Sequence, residues 1–208
     1  MNIKKPKISK LIDKNLINAC IEKDFSNYKF VKNVEDKIII SNVTFDGCIF
    51  EKIDFNNIEL HDVDLTDVIF DSCDLSNKSF DKQLINRVIF KNCKLLGVSF
   101  IDASLKDVLI DESSSKYLNF SSSRMTNIII KNSDLTESNF MNTIIKNIEL
   151  ENVKLVGTLF SKTNLTDVDF STSDINGTSF DFDSIKGIVI DRYQAQMVVN
   201  MLDIKIKD

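Results

Sequence analysis

Residues 41–70 read SNVTFDGCIFEKIDFNNIELHDVDLTDVIF, and every fifth position is Phe or Leu: Phe45, Phe50, Phe55, Leu60, Leu65 and Phe70. A helix brings residues three and four apart onto one face, and a strand brings every second residue there. Neither alone explains a period of five. Followed in both directions, the register holds. Of the 34 multiples of five from Phe25 to Ile190, 32 are Phe, Leu, Ile or Met, the exceptions being Glu35 and Ser115. Fourteen of the 15 Phe fall on it, and only Phe182 does not. A fixed period over most of a chain marks a repeat architecture and outranks local propensity.

The position two before each centre holds small or β-branched residues such as Val43, Cys48, Ile53, Val63, Cys73, Val88, Cys93 and Ala103. Two inward residues flanking an outward one make a short strand, and the remaining two outward positions are where the chain turns. Phe80, Phe100, Phe120, Phe140, Phe160 and Phe180 recur every 20 residues, so four fives close one coil and like residues stack in columns. One Pro and five Gly are few for a fold with so many turns, so the turns are made another way.

Units such as CDLSN at 73–77, SDLTE at 133–137 and TNLTD at 163–167 resemble the consensus of pentapeptide-repeat proteins. That resemblance implies an all-β fold, a right-handed quadrilateral β-helix. VIFDSCDLSNKSF at 68–80 and GIVIDRYQAQMVVNMLDI at 187–204 are similar to segments of the Qnr quinolone-resistance proteins. The domain reading is an N-terminal cap over 1–24, the β-helix over 25–190, and a C-terminal helix and strand over 191–208. Ile8, Leu11, Ile12, Leu16, Ile17, Cys20 and Ile21 follow a helical pattern that predicts a capping helix over 8–21. Tyr193, Met197, Val198, Met201 and Leu202, followed by Ile204, give the tail an apolar surface. It is either an intramolecular cap or a dimer interface, and the resemblance implies a C-terminal homodimer.

Three stretches strain the pattern. In DESSSKY, the run Asp111, Glu112, Ser113, Ser114, Ser115, Lys116 and Tyr117, two Ser stand at inward sites, which predicts a protruding loop; the resemblance places the larger projecting loop of the Qnr proteins there. Their other loop is missing, because EKIDFNN at 51–57 keeps register. Lys78 and Gln83 at inward-small sites predict a bulge over 76–87. NVEDK at 33–37 carries the off-pattern Glu35.

Catalysis needs converging groups, and the sequence offers few. The single His, His61, is in an outward position, and no phosphate loop or C-x-x-C occurs. No catalytic residue, cofactor or metal site is expected. The net charge of −5 argues against direct nucleic-acid binding. Four unpatterned Cys and no apolar run of membrane-spanning length point to a cytoplasmic protein without a membrane partner. Charge is uneven: residues 1–40 hold nine Lys against five acids, and residues 41–80 hold nine acids against two Lys. The acids form outward columns: Asp54 with Asp74, Asp62 with Asp102, and Asp67 with Asp107. Duplex DNA presents a phosphate every ~3.4 Å along each strand, and stacked carboxylates are a cruder version of that array. The resemblance implies an acidic dimer that binds type II topoisomerases, DNA gyrase and topoisomerase IV, at their DNA-binding face. The alternative is a pentapeptide-repeat scaffold with no topoisomerase role.

Overall fold

The computed structural model describes residues 1–201, and the chain winds as a parallel β-solenoid, the right-handed four-sided β-helix expected. In chain order the elements are β1 (Ile12–Asp13), α1 (Leu16–Glu22), β2 (Tyr28–Phe30), β3 (Ile38–Asp46), β4 (Ile49–Glu51) and β5 (Ile58–Asp71). They continue with β6 (Leu84–Lys91), β7 (Ser104–Asp111), β8 (Arg124–Lys131), β9 (Ile144–Glu151) and α2 (Arg192–Met201). From β2 onward each strand pairs in parallel with the one 20 residues later, as in Phe50↔Phe70, Val88↔Val108 and Ile110↔Ile130. Two faces of the coil carry these long strands. The other two are joined by single bridges, for example Asp74↔Lys94 and Ser99↔Asn119.

The inward columns fill the rod with stacked rings. Phe30, Phe50, Phe70 and Phe90 succeed one another at centroid distances of 4.8, 4.9 and 5.2 Å. Phe80 to Phe180 form a second ladder, with separations between 4.8 and 5.6 Å. The spacing is that of adjacent strands, about 4.8 Å.

The turns explain the scarcity of glycine. All five Gly and 23 other residues occupy the second position after a centre with φ positive, the non-glycine values lying between 49 and 65°. Fourteen of those 23 are Asn or Asp, the side chains that tolerate the left-handed conformation best.

The run 111–117 is not a protruding loop. Ser113 and Ser115 are buried in register, and Ser114 bridges Lys94 and Asp134 in the neighbouring coils. For Ser113 the reason is hydrogen bonding. Ser113 Oγ donates to Asp111 O at 2.8 Å and accepts from Cys93 N at 3.1 Å, so the backbone satisfies a hydroxyl in the small inward slot. Thr143, Thr158 and Thr178 do likewise, each donating to a carbonyl of the preceding coil. The bulge expected over 76–87 is also absent. Lys78 and Gln83 are only half-buried, Gln83 Nε2 donates to Asp81 O at 3.0 Å, and the coil keeps its turns and its bridge Ser79↔Ser99. The departure is real only at 33–37. There Val34 is buried, Glu35 is exposed, and Asn57 Nδ2 holds both carbonyls at 3.2 and 2.9 Å.

The helix expected over 8–21 is shorter. Leu16 and Ala19 of α1 cover the first coil, while Ile12 pairs with Tyr28 in a strand and residues before it run extended. At the other end Gln194, 6% exposed, closes the last coil by donating to Phe170 O and Ser173 O at 2.8 and 2.7 Å.

Two consequences can be measured by thermal or denaturant unfolding. Phe100→Ala removes a fully buried ring from a continuous ladder and should cost roughly 3–5 kcal/mol. Phe182→Ala, at a residue 68% exposed, should cost far less. Ser115 Oγ is buried without a partner, so Ser115→Ala should leave stability unchanged or raise it by up to about 1 kcal/mol.

Candidate interaction surface

The six acids expected on one outward surface divide into two groups. Asp54, Asp62 and Asp102 are exposed and Asp74 is half-buried. Asp67 and Asp107 are 5% and 1% exposed, which corrects the expectation that they face solvent. The cause lies at the start of the chain. Residues 1–9 run extended along the corner column Gly47, Asp67, Arg87, Asp107, Asn127 and Asn147. Lys7 N donates to Asp67 Oδ1 at 2.8 Å, Lys4 N donates to Asp107 Oδ1 at 3.2 Å, and the Met1 amino group pairs with Glu149. Nothing in the five-residue pattern announces this strap, because its hydrogen bonds to Asp67 and Asp107 are made by main-chain amides. The excess of Lys in residues 1–10 opposite an acidic stretch was the available signal.

Beneath the strap, Arg87 reaches one coil back to Asp67, with Nε and Nη2 donating at 2.5 and 2.7 Å to its two carboxylate oxygens. This bidentate pairing, joined by the Lys7 amide, holds the Asp67 pKa below the usual carboxylate range although burial opposes it. Asn127 Nδ2 donates to Asp107 Oδ1 at 3.1 Å, and Asp107 Oδ2 has no partner.

The exposed columns are of mixed sign. Along Asp54, Asp74, Lys94, Ser114, Asp134, Lys154 and Asp174, Lys94 pairs with Asp74 at 3.4 Å, and Lys116 reaches Asp134 at 3.6 Å. Against the opposing effect of burial, hydrogen bonds from the hydroxyls and amides of Ser76 and Thr136, and then the lysines, keep the pKa values of Asp74 and Asp134 below normal. In the run 111–117, Asp111 pairs with Lys131 at 3.4 Å, Glu112 is exposed, and Tyr117 is 50% exposed at φ 60°. A surface column that sequence reasoning passed over is aliphatic: Ile49, Ile69, Ile89, Leu109 and Ile129 stand in successive coils, each half-buried. It was legible in the sequence as five apolar residues at spacing 20 in an outward position.

At the C-terminal end Tyr193 is 86% exposed, whereas Met197 and Val198 are half-buried against the rod's own core. Those two therefore serve the intramolecular cap. Leu202 and Ile204 lie outside the described residues, as does the Met201 side chain. Asp191 Oδ1 accepts from Tyr193 N and Gln194 N, and Gln194 Oε1 accepts from Asp191 N at 2.9 Å, a capping box written in the sequence as D-R-Y-Q.

His61 stands 58% exposed, 3.6 Å from Glu59. The Cys73 and Cys93 thiols are buried and free, and the contact between them together with burial drives the Cys73 pKa up. Burial pushes Cys48 up to about 11. Cys48 and Cys73, raised in this way, are poor nucleophiles at neutral pH. Among the described residues no cluster of His, Cys, Asp or Glu could hold a metal ion, and no helix is long and apolar enough to cross a membrane.

The family described as "Pentapeptide repeat region" matches residues 63–140, and "Pentapeptide repeats (8 copies)" matches 39–77 and 144–181. No curated protein matches the sequence significantly. Among solved structures, a trypsin-treated form of QnrB1, a plasmid-mediated fluoroquinolone resistance protein, is 19% identical with a TM-score of 0.59, covering 88% of this chain and 89% of that one. HetL, a pentapeptide-repeat protein involved in heterocyst differentiation regulation from the cyanobacterium Nostoc, is 13% identical with a TM-score of 0.37, covering 84% and 95%.

Asp67→Asn should destabilise the rod at pH 7 by about 2–3 kcal/mol, less than the roughly 3–5 for a fully buried pair because the Arg87 side chain remains 18% exposed. A carboxylate with a depressed folded pKa stabilises above its unfolded value, about 3.9, and that stability is lost as pH falls through the folded pKa. The difference in melting temperature between wild type and variant should therefore be full above about pH 5 and shrink below about pH 4.

Proposed function

Because the chain is a pentapeptide-repeat protein that resembles the Qnr proteins, we propose that it is a non-enzymatic acidic rod that binds type II DNA topoisomerases, gyrase and topoisomerase IV, in place of DNA. The observation that carries this reading is the excess of acids in residues 41–80, nine against two Lys, with Asp54 and Asp62 exposed. Asp102 extends the exposed set along the rod. Coil spacing of about 4.8 Å is of the order of the ~3.4 Å phosphate repeat. The role of QnrB1 in fluoroquinolone resistance directs the choice of partner. With residues 111–117 folded into the coil, the expected action is inhibition of the enzyme rather than drug protection by a projecting loop. The rod acts as a homodimer joined through its C-terminal end, where Phe182, Val189 and Tyr193 are 68, 46 and 86% exposed.

A second reading, a protein-interaction scaffold without a topoisomerase role, is favoured by the aliphatic column from Ile49 to Ile129 and by the Lys that interrupt the acidic columns. Supercoiling by purified gyrase, with and without ciprofloxacin, separates the two. The protein should inhibit supercoiling in a salt-dependent way. Changing Asp54, Asp62, Asp74 and Asp102 together to Asn should weaken inhibition by roughly tenfold or more while hardly moving the melting temperature. An unmodified protein that leaves supercoiling untouched supports the scaffold instead. Light scattering should report a dimer, and a monomer at micromolar concentration contradicts the tail interface.

A further inference from the structure

The corner column beneath the N-terminal strap has the features of a peptide-binding groove. Its Asp67 and Asp107 accept hydrogen bonds from main-chain amides, Lys7 N and Lys4 N, while the side chains of Lys4, Lys5 and Lys7 lie in solvent. Recognition of this kind depends on an extended backbone more than on the particular side chains. The geometry is commensurate. Lys4 and Lys7 are three residues apart, and Asp107 and Asp67 are two coils apart. Three extended residues advance about 10 Å, and two coils rise about 10 Å. An extended segment can therefore meet the column at regular intervals.

Two observations show that residues 1–9 do not exhaust this groove. Asp107 is 1% exposed, and although its Oδ1 accepts from Lys4 N and Asn127 Nδ2, its Oδ2 has no partner. A side-chain donor on an incoming segment would satisfy a carboxylate oxygen that the strap leaves bare. The groove also continues past Met1 into a cavity of about 370 Å³ lined by Asn147, Asn164, Thr166 and Asp167. That is the same corner, one coil further on, so the site accommodates a longer segment than the strap. The charge along it is negative, from Asp67, Asp107, Glu149 and Asp167, with Arg87 as the cation bound beneath the strap.

We propose that this corner is a docking site for an extended, Lys- or Arg-bearing segment of a partner protein, which the chain's own residues 1–9 fill in its absence. It lies on a different column from Asp54, Asp62 and Asp102, and so does not depend on the topoisomerase reading. Strap and partner segment compete, so occupancy by the partner requires the strap to open and the apparent affinity falls by the fraction of time it is open.

The test uses a fluorescein-labelled peptide of sequence MNIKKPKISK and a variant lacking residues 2–9, with folding checked by circular dichroism and melting. In anisotropy titrations the truncated protein should bind the peptide, more weakly as salt rises. The full chain should bind roughly tenfold or more weakly than the truncated one. Asp107→Asn in the truncated protein should weaken binding, and a peptide with its Lys changed to Glu should bind more weakly, because it meets a column of like charge. A folded truncated protein that binds the peptide no better than the full chain overturns the proposal. Should the truncated protein fail to fold, amide exchange in the full chain decides. The Lys4 and Lys7 amides should exchange roughly a hundredfold faster than those of Phe100 and Phe120, as a segment that opens locally does. Exchange as slow as the core makes the strap an integral part of the fold and overturns the docking site.

Discussion

Each coil of this rod hydrogen-bonds to the coil before it and the coil after it, residue i in parallel with residue i+20, and the rest of the structure follows from that pairing. It forces like positions into columns. A residue chosen for one coil must then pack against its counterpart in the next, which is why Phe stacks on Phe along two ladders. It also decides what the interior tolerates. Each inward-small position faces carbonyls of its own and the preceding coil. A Ser or Thr there can find an acceptor and replace Val or Cys without disturbing the winding, as Ser113 and Thr143 do.

The second constraint is the left-handed residue at each corner. Putting Asn, Asp or Gly there closes a turn in two residues and leaves no loop to project. The corners become straight columns of short polar side chains along the rod. One such column holds Asp67, Arg87, Asp107 and Asn127, spaced for pairing from coil to coil, and the same column receives the N-terminal strap. A turn device thus also provides a regular row of acceptors for an extended backbone.

Open ends are the cost of a solenoid, since the terminal coils expose unpaired carbonyls and core side chains. The two ends are closed differently. Leu16 and Ala19 of a seven-residue helix cover the first coil by apolar contact. At the last coil a single amide side chain, Gln194, meets two carbonyls while Met197 and Val198 add apolar cover. The helix at that end is therefore committed to its own rod before any partner arrives. Among the described residues of that end, Tyr193, Val189 and Phe182 are the large apolar groups turned outward.

The sequence by itself determined the coil, its four sides and the ring ladders, because a period fixed over 34 units records the same local geometry each time. It also held the capping box D-R-Y-Q and the aliphatic column from Ile49 to Ile129, both legible once the register is known. Only the tertiary structure decided which strained stretches leave the coil. Ser113 stayed in because its hydroxyl meets a carbonyl of its own strand and an amide of the preceding coil, and Ser115 stayed in on its backbone pairing with Asp134 although its hydroxyl has no partner; no local pattern displays either. Tertiary structure alone also separated Asp67 and Asp107 from Asp54, Asp62 and Asp102. All five hold outward positions in the repeat. Their exposure depends on whether a distant, non-repeating segment lies across them, and backbone amides that make such a contact leave no signature in the residues that bear them.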